Sequence, residues 1–157
     1  MLNYRNALQV KQRLEQLGAT VTLPNDQGQG LDYEDRMDPA RQQRADFFLA
    51  SHHNSTAESV DSNLYYGVEA YYYTDASQNF ARNLTEILSQ GLNRDNNGDF
   101  QSTYHVTKMT YAPSVLVELG YLPNPMEYER VSDPFVIYQT SFYLADAMLE
   151  TIRAFYR

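Results

Sequence analysis

Two short runs, FFLAS (47–51) and SVLVE (114–118), leave this chain little choice of fold. The first is apolar without interruption, which is typical of a strand buried on both faces. The second ends a buried stretch on a carboxylate. Strands of this kind need helices on their flanks. The sequence provides helical spacing before, between and after them. Ala7, Val10, Leu14 and Leu17 recur at helical intervals and stop at Gly18. Phe80, Leu84, Ile87 and Leu88 repeat the pattern up to Gly91. Asp133 and Pro134 open a third helix that runs through Ala145, Met148, Ile152 and Phe155.

Shorter signals fill the gaps. DRMDPARQQRAD predicts a short helix begun near Asp38 and Pro39, and GVEAYYY (67–73) predicts a strand. ATVTL (19–23) is β-rich, and the turn-rich PNDQGQG that follows breaks the pattern. YHVTKM reads as a strand and NRDNNGD as a plain loop. The expected architecture is a single α/β domain over residues 1–157, three-layered, with a mostly parallel sheet flanked by helices.

Bulk properties remove several functions. The 157 residues carry a net charge of −8, whereas nucleic-acid binders are usually basic and anionic lipid attracts basic surfaces. No apolar run approaches the roughly 20 residues that span a bilayer. The opening MLNYRNALQVKQRLEQLG lacks the layout of a signal peptide. No partner among nucleic acids or membranes is expected, and a monomer is. With no cysteine, a metal would depend on His, Asp and Glu.

Open α/β sheets bind ligands beyond the carboxyl ends of their strands, and His52 and Glu118 sit there. Glu118 reads either as a general base tuned upward by burial or as a helix-cap or ion-pair residue. His52 and His53 read either as a polar strand end or as part of a metal site. Adjacent strand residues face opposite ways, so at most one of them aims at a common site. Asn54 lies on the side of His52 and could orient a ligand. His105 reads as packed or solvent-facing. Glu34, Asp35, Glu127 and Glu129 read as solvated charges. The cluster Tyr65, Tyr66, Tyr71, Tyr72 and Tyr73, among 14 tyrosines, either lines a groove or packs in the sheet.

The order of these features resembles the zinc-dependent N-acetylmuramoyl-L-alanine amidases of the amidase type 3 family, which cut peptidoglycan. VKQRLEQLGATVTL is similar to the family's first helix and the strand after it. RMDPARQQRADFFLASHHNS is similar to its histidine segment, with Arg36, Ala40, Ala45, Asp46, His52 and Asn54 in register. GVEAYYY, SQNFARNLTEIL and YAPSVLVELGYLPNPMEYE follow in family order, with Glu118 at the catalytic glutamate.

The resemblance implies zinc held by two histidines and a glutamate, and hydrolysis of the amide between N-acetylmuramic acid and L-alanine. It makes His52 a metal ligand, Asn54 a supporting residue and Glu118 the catalytic base. Substrate-binding residues are not identified. It also implies peptidoglycan as partner and a location in the cell envelope or outside the cell. The chain departs from the family in one respect. The family's first strand and its histidine have no counterpart here, and its ligand glutamate falls near Leu2. An N-terminally truncated domain, inactive alone and lacking two of three zinc ligands, is therefore expected. The alternative is a degenerate domain that binds wall peptide or a protein partner.

Overall fold

The computed structural model describes residues 2–25 and 30–155. Helices α1 (Leu2–Gln16) and α2 (Tyr33–Gln42) precede strand β1 (Phe48–Asn54). Strand β2 (Val68–Tyr72), helix α3 (Asp75–Leu92) and strand β3 (Asn96–Gln101) follow. Strand β4 (Ser114–Tyr121) leads into helices α4 (Pro125–Ser132) and α5 (Pro134–Phe155). The sheet order is β1-β4-β2-β3. Pairs β1–β4 and β2–β3 are parallel, and the central pair β2–β4 is antiparallel. The sheet is thus mostly parallel by pairing. The one antiparallel junction sets the amino end of β2 beside the carboxyl end of β4.

Strand alternation assigns the two faces. Val115, Val117 and Leu119 of β4 join Val68, Ala70 and Tyr72 of β2 in the main core. Val10 and Leu14 of α1, Phe80, Leu84 and Leu88 of α3, and Leu144 of α5 cover them. Phe47 and Leu49 pack against this core, and the Phe47 ring meets Phe80 edge-on at 5.4 Å. The second face is more thinly covered. There Phe48 packs with Met37 and Ala40 of α2 and with Met109 and Ala112. The run around FFLAS thus packs on both faces, but its five residues stay half-buried, short of the full burial that its composition predicts. All eight residues of β4 are buried, whereas β1, bonded to β4 alone among the described strands, stays half-buried.

Several local expectations change. ATVTL forms no strand; its Val21 instead leans on the core and its carbonyl accepts from Lys11 Nζ at 2.8 Å. Residues 26–29 of the turn-rich stretch lie outside the described residues. NRDNNGD is not a plain loop, because Asn96–Gln101 is an edge strand. Its residues are mostly exposed, so it carries no apolar pattern to read; the backbone ladder to β2 and the bond from Gln101 Nε2 to the Tyr73 carbonyl (3.0 Å) hold it. YHVTKM contains a single 3-10 turn, His105–Thr107. Helix α2 starts earlier than predicted and includes Pro39. Gly91 does not end α3, which continues to Leu92 and is capped by Asn93 in the left-handed region (φ 49°). Its missing side chain makes room for the ring of Tyr143, whose nearest carbon lies 2.3 Å from where a Cβ would stand.

Glu127, expected in solvent, is buried. Its Oε2 forms an ion pair with Arg94, itself buried just after α3. The same oxygen accepts from the backbone N–H groups of Gly67 (3.2 Å) and Tyr121 (3.3 Å). Arg94 also donates to the carbonyls of Leu119 and Gly67. The pair ties together the starts of β2 and α4 and the end of β4. Removing one partner of a buried pair strands a charge, at a cost of about 3–5 kcal/mol. Arg94→Met should destabilise the domain by that amount in urea unfolding, and Arg94→Met/Glu127→Leu should cost less than the two single changes summed. A single-variant loss below about 1 kcal/mol would show that the pair is not a clamp.

Candidate active site

Five polar residues share the thinly covered face, and the strand registers explain why. His52 pairs with Glu118 across the parallel ladder, and Glu118 pairs with Glu69 across the antiparallel one. Register partners present their side chains to the same face. Asn54, two residues beyond His52, and Tyr71, two beyond Glu69, follow by alternation.

Tyr121 joins them through an irregularity. Between the pairs His52–Glu118 and Asn54–Tyr121, β4 advances three residues while β1 advances two. This is a β-bulge, and the extra residue returns Tyr121 to the side of Glu118. Gly120 lies within it at φ +145°. A Cβ there would stand 2.7 Å from Arg94 Nη2 and 2.8 Å from Glu127 Oε2, so the buried ion pair occupies the space a side chain would need.

Glu118 is 8% exposed, and its Oε2 has no hydrogen-bond partner among the described residues. Burial, followed by the charge of Glu69, pushes its carboxyl up to about 8. Glu69 is equally buried but well provided for. It accepts from Asn54 Nδ2, from the Tyr71 hydroxyl at 2.8 Å and from the Tyr121 hydroxyl at 3.0 Å. Burial and the nearby Arg36 guanidinium lower the pKa of His52, which keeps its imidazole in the neutral form that a metal or a proton acceptor needs.

The other histidines stand apart. His53 faces the main core side, where its Nδ1 meets Asn3 Oδ1 of α1 at 2.6 Å and burial drives its pKa down to about 4. His105 precedes the amino end of β4, since the Val106 carbonyl accepts from Ser114 Oγ. It is exposed, bonds Glu34 at 2.8 Å and stacks on Tyr33. Neither can join His52. Among the described residues no three His, Asp or Glu side chains converge as a metal set. Of the tyrosine cluster, Tyr65 and Tyr71 line a groove beside the site with Tyr121, and Tyr72 belongs to the core.

Sequence reasoning missed Glu69 and Tyr121 as site residues. The signal for Glu69 was present in GVEAYYY, where Val68, Ala70 and Tyr72 alternate with Glu69 and Tyr71. Tyr121 could not be found by alternation, because the bulge breaks it.

Fold and site together define a class: an α/β domain with a neutral imidazole and a carboxyl poised near neutrality side by side on one sheet face. The chain belongs to the N-acetylmuramoyl-L-alanine amidase family of the third amidase type, whose profile matches residues 1–150. It is 29% identical over 129 residues to the "Probable cell wall amidase LytH" of Staphylococcus epidermidis and 30% identical to that of Staphylococcus aureus. Each match covers 82% of this chain and 41% of the relative, so the chain spans about two-fifths of the length of these curated relatives. The catalytic domain of CwlV, an N-acetylmuramoyl-L-alanine amidase from Bacillus (Paenibacillus) polymyxa var. colistinus, superposes with a TM-score of 0.87 at 27% identity. That match covers 97% of this chain and 83% of the other. The AmiC2 amidase of Nostoc punctiforme gives 0.90 at 24% identity over the same shares, a likeness of fold. No helix among the described residues is long and apolar enough to cross a membrane.

The family generally depends on zinc. With one imidazole on the site face, the described residues do not by themselves fit that ion.

The buried carboxyl has a consequence for stability. A folded-state pKa raised from 4.5 to about 8 favours folding fully below 4.5, and that contribution is lost as pH rises through about 8. Glu118→Gln removes the titration. Thermal melts from pH 4 to pH 9 should show the wild type losing stability relative to Glu118→Gln, by on the order of a few kcal/mol. Parallel curves would mean that Glu118 titrates like an exposed carboxylate.

Proposed function

We propose that this chain is a catalytic domain of a peptidoglycan amidase, cutting the amide between N-acetylmuramic acid and L-alanine in the cell envelope. The observation that carries this reading is Glu118. It is a buried carboxyl with a free oxygen, held beside His52 and poised at about 8. Amide hydrolysis needs a group that takes a proton from water and returns it to the leaving amine, and such a group works best when its pKa lies near the working pH. Glu118 fills that role. His52 is the one imidazole offered to a metal from this face, with Asn54 steadied beside it by Glu69 and by the Ser55 backbone N–H at 2.7 Å.

Zinc binding by these residues would require further ligands than the described chain converges on, since a catalytic zinc takes three protein ligands. The purified 157-residue chain should therefore lose zinc on dialysis. Stoichiometric zinc retained in metal analysis would show a ligand set not seen here. Hydrolysis should be assayed in the polypeptide as the organism makes it, by release of alanine-terminated peptide from purified peptidoglycan. Glu118→Gln should lower turnover by about 100-fold or more, as loss of a general base does, with zinc content unchanged. Normal turnover by that variant would remove Glu118 from the mechanism.

A second reading is favoured by the single imidazole on the site face: an amidase-like domain that binds wall peptide or a protein partner without cutting. It predicts no peptide release from the wild-type polypeptide at any zinc concentration.

A further inference from the structure

A groove of about 290 Å³ opens beside Glu118 on the same sheet face, and proton transfer leaves it without a role. Its lining includes Asn54, Val60, Tyr65, Glu69, Tyr71 and Tyr121. Glu69, 6% exposed, forms part of it and dictates the hydrogen-bond polarity of its neighbours. A phenol has one proton to donate and lone pairs to accept with. Tyr71 and Tyr121 both give their proton to Glu69. Burial and the Glu69 charge push both phenols above their ordinary pKa, so the protons stay in place.

The oxygens therefore offer the groove only lone pairs. Tyr121 is buried, whereas Tyr71 is half-buried. Tyr71 is left as the open acceptor. Asn54 is fixed in orientation, its amide nitrogen donating to Glu69 and its oxygen accepting from the Ser55 backbone N–H. The tilted rings of Tyr65 and Tyr121, 5.8 Å apart, add π faces that attract cations. The neighbouring Glu118 Oε2 is buried without a hydrogen-bond partner among the described residues.

A ligand group that meets the two phenol oxygens beside Glu69 must bring donors, and a protonated amine brings donors only. We propose that the groove is a binding site for the ammonium group of a peptide, with the Tyr71 oxygen as acceptor and Glu69 as the residue that fixes its polarity. The proposal rests on the amidase reading only in taking that peptide to come from the wall.

The test compares two probes on the full 157-residue chain by NMR titration: alanyl-alanine amide with a free amine, and the same dipeptide N-acetylated. The wild type should bind the free amine about tenfold more tightly, the worth of one charge-assisted hydrogen bond. Tyr71→Phe keeps the ring and removes the acceptor, and should bring the ratio to about twofold or less. Glu69→Gln should do the same, because its amide needs an acceptor and turns one phenolic proton toward the groove. Circular dichroism establishes that each variant is folded. Equal affinity of the two probes for the wild type overturns the proposal whatever the variants do. Tighter binding of N-acetylmuramic acid than of either dipeptide overturns it too, by making the groove a sugar site. Peptidoglycan cleavage without amine preference would sink this proposal and leave the amidase reading standing; amine preference without cleavage would do the reverse.

Discussion

The buried pair Arg94–Glu127 is the contact on which the site geometry depends. The pair bonds to itself and to backbone groups of Gly67, Leu119 and Tyr121 rather than to His52, Glu69 or Glu118. Glu127 Oε2 holds the backbone N–H of Tyr121, and Arg94 holds the carbonyl of Leu119, so the pair grips β4 on both sides of Gly120. That grip stabilises a bulge at Gly120, and the bulge turns Tyr121 toward Glu69. A regular strand would send Tyr121 to the core face and leave Glu69 one donor short. Two charges are costly to desolvate. Here they also satisfy backbone groups at a strand irregularity that would otherwise be buried without partners.

A second constraint is the antiparallel step between β2 and β4. In a wholly parallel sheet the amino end of a neighbouring strand would lie far from the carboxyl end of β4. Because β2 runs the other way, its second residue, Glu69, stands directly across from Glu118. Two buried carboxyls as register partners cannot both be comfortable as anions. The fold resolves this unequally. Glu69 receives three donors, whereas Glu118 keeps one oxygen without any. Burial raises Glu118, and the charge of Glu69 across the ladder adds to it. The division of labour between the two acids thus follows from which one has partners.

Much of this was legible in the sequence. The runs around FFLAS and SVLVE announced the two strands that carry His52 and Glu118, and strand alternation alone separated His52 from His53. The helices were legible because their apolar stripes repeat. The edge strand β3 was not, because NNGDFQ faces water and its order comes from backbone pairing with β2, which no local pattern encodes. Glu127 was misread for a related reason. An acidic residue in the first turn of a helix ordinarily suits solvent and the helix dipole, and only the arrival of Arg94, 33 residues earlier in the chain, makes its burial tolerable. Long-range pairing of this kind leaves no periodic trace.

The asymmetry of the two sheet faces connects these points to function. The main core face is filled by Val, Leu and Phe from three helices and leaves no room for polar chemistry. His53 shows what happens to an ionisable group there: it is held neutral and bonded to α1. The other face has α2 and a short apolar cluster at one end and tyrosines at the other. Tyrosine suits that position because its ring continues the packing while its hydroxyl meets the carboxylates. A face closed entirely by aliphatic side chains would bury Glu118 beyond the reach of any substrate. One left open to water would let its pKa relax toward an ordinary carboxylate. The tyrosines lie between these limits: Glu118 stays buried and raised, while the groove they line opens next to it at its register partner Glu69.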